Sequence, residues 1–452
     1  MREKLDMQLY LEFSGNATLK VVREYREKYK NISDVLEENR KILNCIHTDI
    51  KHVNKSSNKG RRSTYTTENI IRALIVHNIE CTDWRETIVR VSESSFLKDF
   101  IRFGNRPVMD YSFLCKCFKA IRPETWKKIN KLLGGHALKN DQLDTKEVRV
   151  DTTVVESNIH YPTDASLLWD SYRVLKRLLV NARKHKVSVC PHRFHDKKVK
   201  GHYLYITRYI SSKSKSRQRK VKSRFRDLIN SVERVVSIAE EFCLLVQGSF
   251  DIVLSGIESD ISVYIEAIKN VVEVSKRVAI NAESVPARER TFSIFEQHVE
   301  LIKRGKRNKR VEFGHKVLIC QTKDKFITDY DVMEKQREDE EHVEGVLERH
   351  KDQFGSYPEV LAGDKGFRSE LKTMQKHEEK VKVLAIPRKV TDWGNELLQP
   401  WQGFRAGIEG SISVLKRAFR LAKCHYRGFK SFAASIGMGV FCHNLVKLAD
   451  SS

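Results

Sequence analysis

Three carboxylates in separate parts of the chain have surroundings that suit the binding of divalent metal ions. Asp151 interrupts the β-branched run 148–155, VRVDTTVV, where an isolated charge is costly unless it has a role. Asp364 follows the apolar residues VLAG, and Glu409 lies in the segment FRAGIEG. Carboxylate oxygens are ligands that Mg²⁺ prefers. Two such ions, roughly 3.5–4 Å apart, support phosphodiester hydrolysis or transfer without a covalent intermediate.

Rigid elements are expected to position these three side chains. Residues 148–155 predict a strand, and residues 358–367 predict a second strand that runs into a glycine-containing turn. Asp364 then stands at a carboxyl strand end, where α/β sheets place their sites. Residues 404–422 predict a helix that carries Glu409.

The predicted helix 404–422 has two distinct faces at about 100° per residue. One face groups Gln402, Arg405, Glu409, Ser413 and Lys416, and a separate apolar stripe holds Ile408, Ile412, Leu415 and Phe419. We expect the stripe to pack on the sheet and the other face to present Arg405, Glu409 and Lys416. Taken alone, this pattern also fits a surface ladder of ion pairs.

The remaining pattern predicts an α/β core with a large helical insertion after its first strand. Helical periodicity covers residues 165–305, two strands follow within 311–332, and an acidic helix follows at 334–348. The resulting order is βαββαβα, with helices on the sheet. We expect the catalytic domain to span residues 145–450, with its insertion at about 165–305.

Residues 1–140 read as an all-helical region before the first strand. Thr67 and Asp110 are candidate helix N-caps, and Pro123 is a candidate first residue of a helix. We expect an N-terminal helical arm at 1–60, a polar linker at 53–64, and a helical DNA-end-binding domain at 61–140. Such short helices could form a helix-turn-helix module or an ordinary bundle with a basic face, and the sequence favours neither.

The charge balance points to a polyanionic partner. Lys and Arg number 83 against 59 Asp and Glu, which gives a net charge of +24. Residues 183–226 contain sixteen Lys or Arg and one acid, with interleaved aromatic residues. This pattern favours a DNA surface over a solvated helical face. The candidate phosphate contacts are Lys213, Lys215, Arg217, Arg219 and Lys220.

Other classes of protein fit the sequence less well. The N-terminus lacks the apolar core of a signal peptide, and we expect no membrane span, since the longest apolar run, near 433–446, is interrupted by polar residues. Nine scattered cysteines suit buried thiols in the cytoplasm. Cys190, His192 and His195 lack a second pair at zinc-finger spacing, so no zinc site is expected.

The three carboxylate motifs, in this order, resemble those of bacterial insertion-sequence transposases with an RNase H-like core. DTTVVESNIHYPTD, residues 151–164, is similar to their first-Asp motif, and GDKGF, residues 363–367, to their second. Arg405, Glu409 and Lys416 match the Arg-Glu-Lys part of a Tyr-Arg-Glu-Lys signature, with Gln402 at the Tyr position. The HKV segment at His315 and the segment 424–432, CHYRGFKSF, also look like these proteins. Among these transposases, the sequence most resembles the ISNCY-type group, and the resemblance covers residues 145–445.

The resemblance implies a DDE transposase that cleaves element ends and transfers strands to target DNA. Asp151, Asp364 and Glu409 would hold two Mg²⁺ ions, with Mn²⁺ as a substitute, and Arg405 and Lys416 would hold DNA phosphates. Some members place a base-stacking aromatic near the cleavage point. Trp393 and Trp401 are candidates here, although packing roles are favoured for both.

The resemblance also implies partners and a location. These are double-stranded DNA at terminal inverted repeats and target sites, and a homodimer or higher oligomer on DNA. No membrane and no nucleotide cofactor are expected, and the place of action is the nucleoid of a bacterial cytoplasm. The alternatives are an inactive transposase that binds DNA, or an RNase H-like nuclease that cleaves without joining.

Overall fold

A computed structural model describes residues 4, 19–53, 63–303, 310–389, 392, 394 and 396–451. Two compact units divide these residues. The first combines Met1–Asn158 with Gly314–Ser452, and the second is Ile159–Phe313. Most of the linker predicted at 53–64, much of the N-terminal arm and Trp393 lie outside the described residues.

Seven helices precede the first strand and confirm the helical prediction for the part of residues 1–140 that is described. They are α1 (Lys20–Glu38), α2 (Lys41–Ile50), α3 (Thr67–Ile79), α4 (Trp84–Glu93), α5 (Ser95–Ile101), α6 (Tyr111–Ala120) and α7 (Pro123–Lys139). Asp110 caps α6 and Pro123 begins α7, as predicted. The cap of α3 was predicted one residue too late, because Thr66, not Thr67, accepts from the backbone of Asn69 in a capping box.

A mixed sheet confirms the α/β class, and its strands belong to the first unit except for β2 and the first residues of β3. Its strands are β1 (Glu147–Ser157), β2 (Glu300–Lys303), β3 (Val311–Thr322), β4 (Ile327–Val332), β5 (Val360–Ala362), β6 (Val383–Ala385) and β7 (Lys423–Cys424). The order is β2-β3-β1-β5-β6, with β4 paired to β3 and β7 to β1. β3 runs antiparallel to β1, whereas β5 and β7 run parallel to it.

The sheet differs from the predicted pattern in small elements. β2, β6 and β7 have two to four residues each and were not predicted, because such short runs carry little periodicity. The acidic helix expected at 334–348 is wrong in its bounds. A 3₁₀ turn occupies Asp339–His342 and α12 runs from Val343 to Phe354. The short helix α13, Leu371–Glu378, then follows β5.

Two helices complete the first unit. α14 spans Gln399–Ala418, so it starts before the predicted 404 and ends before the predicted 422. It ends because Arg420 adopts a left-handed conformation at φ 64°. Its apolar stripe packs inward as expected, with Ile408 and Leu415 buried.

The last helix, α15, spans Phe429–Ser451. By length and composition α15 is apolar enough to cross a membrane, but 83% of its apolar window is buried inside the protein. Asn444 binds both backbone groups of Ile327 in β4. α15 is therefore a core helix.

The second unit is the helical insertion predicted after the first strand. It contains α8 (Asp164–His185), α9 (Asp196–Tyr209), α10 (Lys215–Val246) and α11 (Ile252–Ser275). Apolar side chains from all four helices form one buried cluster, which includes Leu175, Ile206, Val232 and Ile268. The long α10 places its basic residues at one end and its apolar, acidic residues at the other.

Candidate active site

Asp151 lies in the middle of β1 and is largely enclosed, with 14% of its side chain exposed. One carboxylate oxygen, Oδ1, accepts from the backbone N–H of Thr152 at 2.7 Å. Burial raises the pKa of Asp151 to about 6, and the carboxylates of Asp364 and Glu409 act in the same direction, while Arg405 opposes them. The negative charge of Asp151 is thus disfavoured unless a cation accompanies it.

The strand register places Asp364 level with Asp151. β1 and β5 run parallel, with Arg149 opposite Ala362 as their last pair. Asp151 and Asp364 each come two residues after that pair, so Asp151 within β1 lies level with Asp364 just beyond the carboxyl end of β5. Asp364 also caps the 3₁₀ turn Lys365–Phe367, where its Oδ1 accepts from the backbone N–H of Gly366 at 2.8 Å. The turn therefore fixes the direction of this carboxylate.

Arg405 links the carboxylates of α14 and β1. Its Nη1 donates to Oε1 of Glu409 at 3.0 Å, and its Nη2 lies 3.8 Å from Oδ2 of Asp151. Glu409 is 62% exposed and faces away from the buried side of α14. Lys416 is half-buried two turns further along the same helix. The polar face predicted for α14 therefore approaches Asp151 through the side chain of Arg405.

Arg149 docks α14 onto β1, a contact that the sequence analysis missed. Its side chain is buried and donates twice to Oε1 of Gln321, at 3.0 and 2.7 Å. Its Nη1 donates to the backbone oxygen of Phe404 at 2.8 Å, directly before Arg405. Gly407 makes room for this guanidinium, since a Cβ there would lie 2.2 Å from Nη1. The sequence signal that could have identified Arg149 is a charged residue within the mostly apolar run VRVD, the same signal that identified Asp151.

Asp339 is a fourth carboxylate near the site, and it was also missed. Its Oδ2 accepts from the hydroxyl of Thr152 at 3.3 Å, and its Oδ1 lies 3.4 Å from Nζ of Lys316. A Cβ on Gly366 would lie 3.3 Å from Oδ2, so Asp339 also adjoins the turn that Asp364 caps. No pattern distinguished it, because it stands within the acidic run 338–341.

The structure brings these groups near one another without assembling a metal-ligating cluster. Within the described part of the chain, no group of three or more His, Cys, Asp or Glu side chains is close enough to hold a metal ion. Instead, Arg405 supplies the positive charge between Asp151 and Glu409. Cys190, His192 and His195 likewise form no such group in the described part of the chain.

Comparison with known protein families gives the class of this site. Residues 275–445 match the family model described as a transposase DDE domain. This part of the chain is therefore similar to a transposase DDE domain. The match includes Asp364 and Glu409, whereas Asp151 precedes it. Comparisons with curated proteins and with solved structures found no match.

The match supports an insertion-sequence DDE transposase, and the mixed sheet with its helices is consistent with an RNase H-like DDE domain. Such a domain acts on DNA, which agrees with the net charge of +24. The family match does not confirm the ISNCY subtype or the Arg-Glu-Lys signature on α14. Trp401, the described member of the two tryptophan candidates, packs edge-on against Phe404 with 5.8 Å between ring centroids.

The basic end of the insertion is a surface on which cationic side chains lie against aromatic rings. The five candidates Lys213, Lys215, Arg217, Arg219 and Lys220 are all exposed. The guanidinium of Arg217 lies 5.1 Å from the ring of Tyr209, and Lys220 lies 5.3 Å from that of Tyr205. The tyrosines therefore hold basic side chains at the surface.

His315, in the HKV segment that resembles the transposases, has a structural position. It is fully buried in β3, and its Nδ1 lies 2.9 Å from the backbone oxygen of Met333. It also packs edge-on against Phe429 and Phe432. These contacts account for the histidine through packing and hydrogen bonding.

Proposed function

We propose that this chain is an insertion-sequence transposase that cleaves the ends of its element and joins them to target DNA by direct transesterification. The observation that carries the proposal is the level placement of Asp151 and Asp364 on parallel strands, with Arg405 linking Asp151 to Glu409. In this function Asp151, Asp364 and Glu409 hold two divalent ions, Mg²⁺ or Mn²⁺.

The donor set supports this assignment. All three side chains offer carboxylate oxygens, the ligands that Mg²⁺ prefers. The raised pKa of Asp151, caused mainly by burial, means that a bound cation would offset an unfavourable charge. Bound divalent ions supply charge that activates the attacking hydroxyl and stabilises the leaving 3′-oxygen. The pairing of Arg405 with both Asp151 and Glu409 shows that this region already binds positive charge.

The protein's own cations would hold the DNA. Arg405 can present a planar guanidinium to a phosphate beside the carboxylates, and Lys416 can hold the backbone further along α14. The basic insertion residues would add phosphate contacts of low sequence specificity. In the joining step, the 3′-oxygen of the element end forms a bond to a target phosphorus as the bond to the target 3′-oxygen breaks. We expect a homodimer or higher oligomer that acts at the bacterial nucleoid.

The test is metal-dependent nicking and strand joining on DNA that flanks the coding region. With Mg²⁺ or Mn²⁺ the wild type should nick and join. Asp151→Ala, Asp364→Ala and Glu409→Ala should each abolish nicking and retain end binding, because phosphate contacts elsewhere supply most affinity.

The alternatives give different results in the same assay. Binding without nicking in the wild type would indicate an inactive transposase, and nicking without joining would indicate a nuclease. Near-normal nicking by any one alanine variant would remove that residue from the site. Melting temperature with added Mg²⁺ provides a readout that does not depend on activity: it should rise for the wild type and stay constant for Asp364→Ala.

A further inference from the structure

A cavity of about 440 Å³, which we name the α3–α4 cavity, lies between the turn that joins α3 to α4 and the chain segment that follows α14. Its volume is within the range of roughly 300–1,000 Å³ that is typical of small-molecule sites. All its lining residues belong to the first unit. Residues 424–426 line it and begin the segment CHYRGFKSF, to which the carboxylate site gives no role.

The α3–α4 cavity is separate from the carboxylates of the candidate active site. Asp151, Asp364 and Glu409 are not among its lining residues. Lys423, which does line it, lies opposite Glu156 in the parallel pairing of β7 with β1. Glu156 comes five residues after Asp151, which is roughly 17 Å along an extended strand. A ligand in the cavity therefore needs an explanation of its own.

Two cations of the cavity have no carboxylate partner. Among the residues that the structure describes, no acid lies within ion-pair distance of Arg420 or Lys423. Arg420 donates instead to the backbone oxygen of Thr82. Burial lowers the pKa of His425, and the charges of Lys423 and Arg420 lower it further. Asp83 also lines the cavity, but its Oδ1 is engaged by two backbone N–H groups in the first turn of α4, each at 2.8 Å. This charge distribution suits an anionic ligand.

The same cavity has aromatic walls and a buried amide without a partner. Trp84 and Tyr426 line it, with 5.9 Å between their ring centroids. Such rings stack on nucleobases of any type. Asn78 lines the cavity and is 1% exposed, and neither its side-chain nitrogen nor its oxygen has a hydrogen-bond partner among the described residues. Buried polar atoms without partners are unfavourable, and the edge of a nucleobase offers both a donor and an acceptor.

We propose that the α3–α4 cavity binds a single nucleotide, with its phosphate at Arg420 and Lys423 and its base against Trp84, Tyr426 and Asn78. A nucleotide combines the anion, the flat ring and the donor and acceptor edge that these side chains match. Inorganic phosphate would leave the rings and the amide unused. Duplex DNA would also leave them unused, because its bases are stacked inside the helix. The source is a free nucleotide or an unpaired nucleotide of a DNA strand.

Equilibrium dialysis of the full chain against a labelled deoxynucleoside monophosphate, at physiological salt and without divalent metal, tests the proposal. About one molecule should bind per chain, and the same nucleoside without phosphate should bind at least roughly tenfold more weakly. Lys423→Gln should weaken binding of the monophosphate about tenfold or more, because a charge-assisted contact is lost. It should leave the affinity for the nucleoside unchanged. Lys430→Gln removes an exposed cation of the same segment that does not line the cavity, and it is the matched control.

Two further variants separate binding from folding. Arg420 has a left-handed backbone at φ 64°, which glycine adopts with less strain, so Arg420→Gly removes the charge and relieves the backbone. It should weaken binding of the monophosphate about tenfold or more. Asn78→Leu replaces the unpartnered amide with an apolar group of similar size. It should keep or raise the melting temperature without ligand, while it weakens binding of both the monophosphate and the nucleoside.

Competition identifies the source of the nucleotide. Displacement of the labelled monophosphate mainly by free nucleotides would indicate a soluble ligand. Much stronger displacement by a short single strand, lost in Lys423→Gln, would indicate an unpaired nucleotide of DNA. Absence of saturable binding by both probes would overturn the proposal, as would binding that Lys423→Gln and Arg420→Gly leave unchanged. Equal competition by duplex and single strand would also overturn it, because backbone phosphates alone would then explain the binding. Asp364→Ala should bind the monophosphate normally, so this test and the nicking test can fail independently.

Discussion

Replacing Gly407 with alanine tests whether the contact between Arg149 and α14 sets the geometry of the site. The new Cβ would lie 2.2 Å from Nη1 and 3.1 Å from Cζ of Arg149. Ordinary contact starts at 3.4 Å, so the helix and the guanidinium must separate by about 1.2 Å. Arg149 has little freedom to yield, because Gln321 and the Phe404 backbone hold it.

A separation of this size should affect catalysis more than binding. α14 carries Arg405 and Glu409, and a displacement of ~1 Å between reacting groups costs on the order of a hundredfold in rate. We therefore expect Gly407→Ala to slow single-turnover nicking about a hundredfold at saturating Mg²⁺, with DNA affinity nearly unchanged. Overpacking should also cost about 1–3 kcal/mol of stability, so rates are measured well below the melting temperature.

The same helix supplies matched controls. At Gly403 and Gly410 a Cβ meets nothing within 4 Å. Alanine at either position should retain the rate and stabilise the protein by about 0.5–1 kcal/mol, because glycine is a poor helix former. In an Arg149→Met background, Gly407→Ala should have little further effect, since the clash is gone. Wild-type nicking by Gly407→Ala, or an undiminished effect of Gly407→Ala in that background, would refute the reasoning.

Three further predictions concern the charged groups of the site and of the insertion. In metal-free protein, Asp151→Asn should raise stability by about 1–3 kcal/mol at pH 7 and by nothing below pH ~4. The pKa of Asp151 is about 6 in the folded protein and 3.8 ordinarily, so the wild type loses stability as the pH rises from about 4 to about 6. Equal melting temperatures of the wild type and Asp151→Asn at pH 7 would contradict this prediction. Arg405→Ala and Lys416→Ala should each slow nicking or joining roughly tenfold or more with little change in melting temperature, and Arg405→Lys should restore part of the rate. Wild-type rates in both alanine variants would leave Glu409 as the only catalytic residue of α14. The last change replaces five exposed basic residues with glutamine: Lys213, Lys215, Arg217, Arg219 and Lys220. It should flatten the log–log dependence of DNA affinity on salt concentration, and an unchanged slope would identify these residues as a solvated face.

The sequence predicted those parts of the fold that have a local pattern. β1, β3, β4 and the helices of the insertion carry strong periodicity, and Asp110 and Pro123 mark helix starts by local chemistry. β6 was not predicted because its pairing with β5, rather than its own composition, makes it a strand. The end of α14 at Ala418 was also missed, because the left-handed Arg420 is held by tertiary contacts, including a hydrogen bond to the backbone of Thr82.

The candidate site was predictable as residue types and not as contacts. Asp151, Asp364 and Glu409 stood out because each departs from its surroundings or matches a motif. Arg149 and Asp339 act through Gln321, Phe404 and Thr152, which lie up to 255 positions away in the chain. A single sequence gives no signal for such pairs, since neither periodicity nor spacing links them.

The insertion between β1 and β3 also sets a delay during synthesis. Glu156 and its partner Gly314 are 158 positions apart, and Val148 and Thr322 are 174 apart. At about 5–20 residues per second, a ribosome completes β3 roughly 10–30 s after β1. Glu409 is made later still. The helices α8–α11 pack on one another, so they can fold during this interval while β1 has no partner strand. A nascent chain can therefore expose its basic helices to nucleic acid well before all three carboxylates have been synthesised.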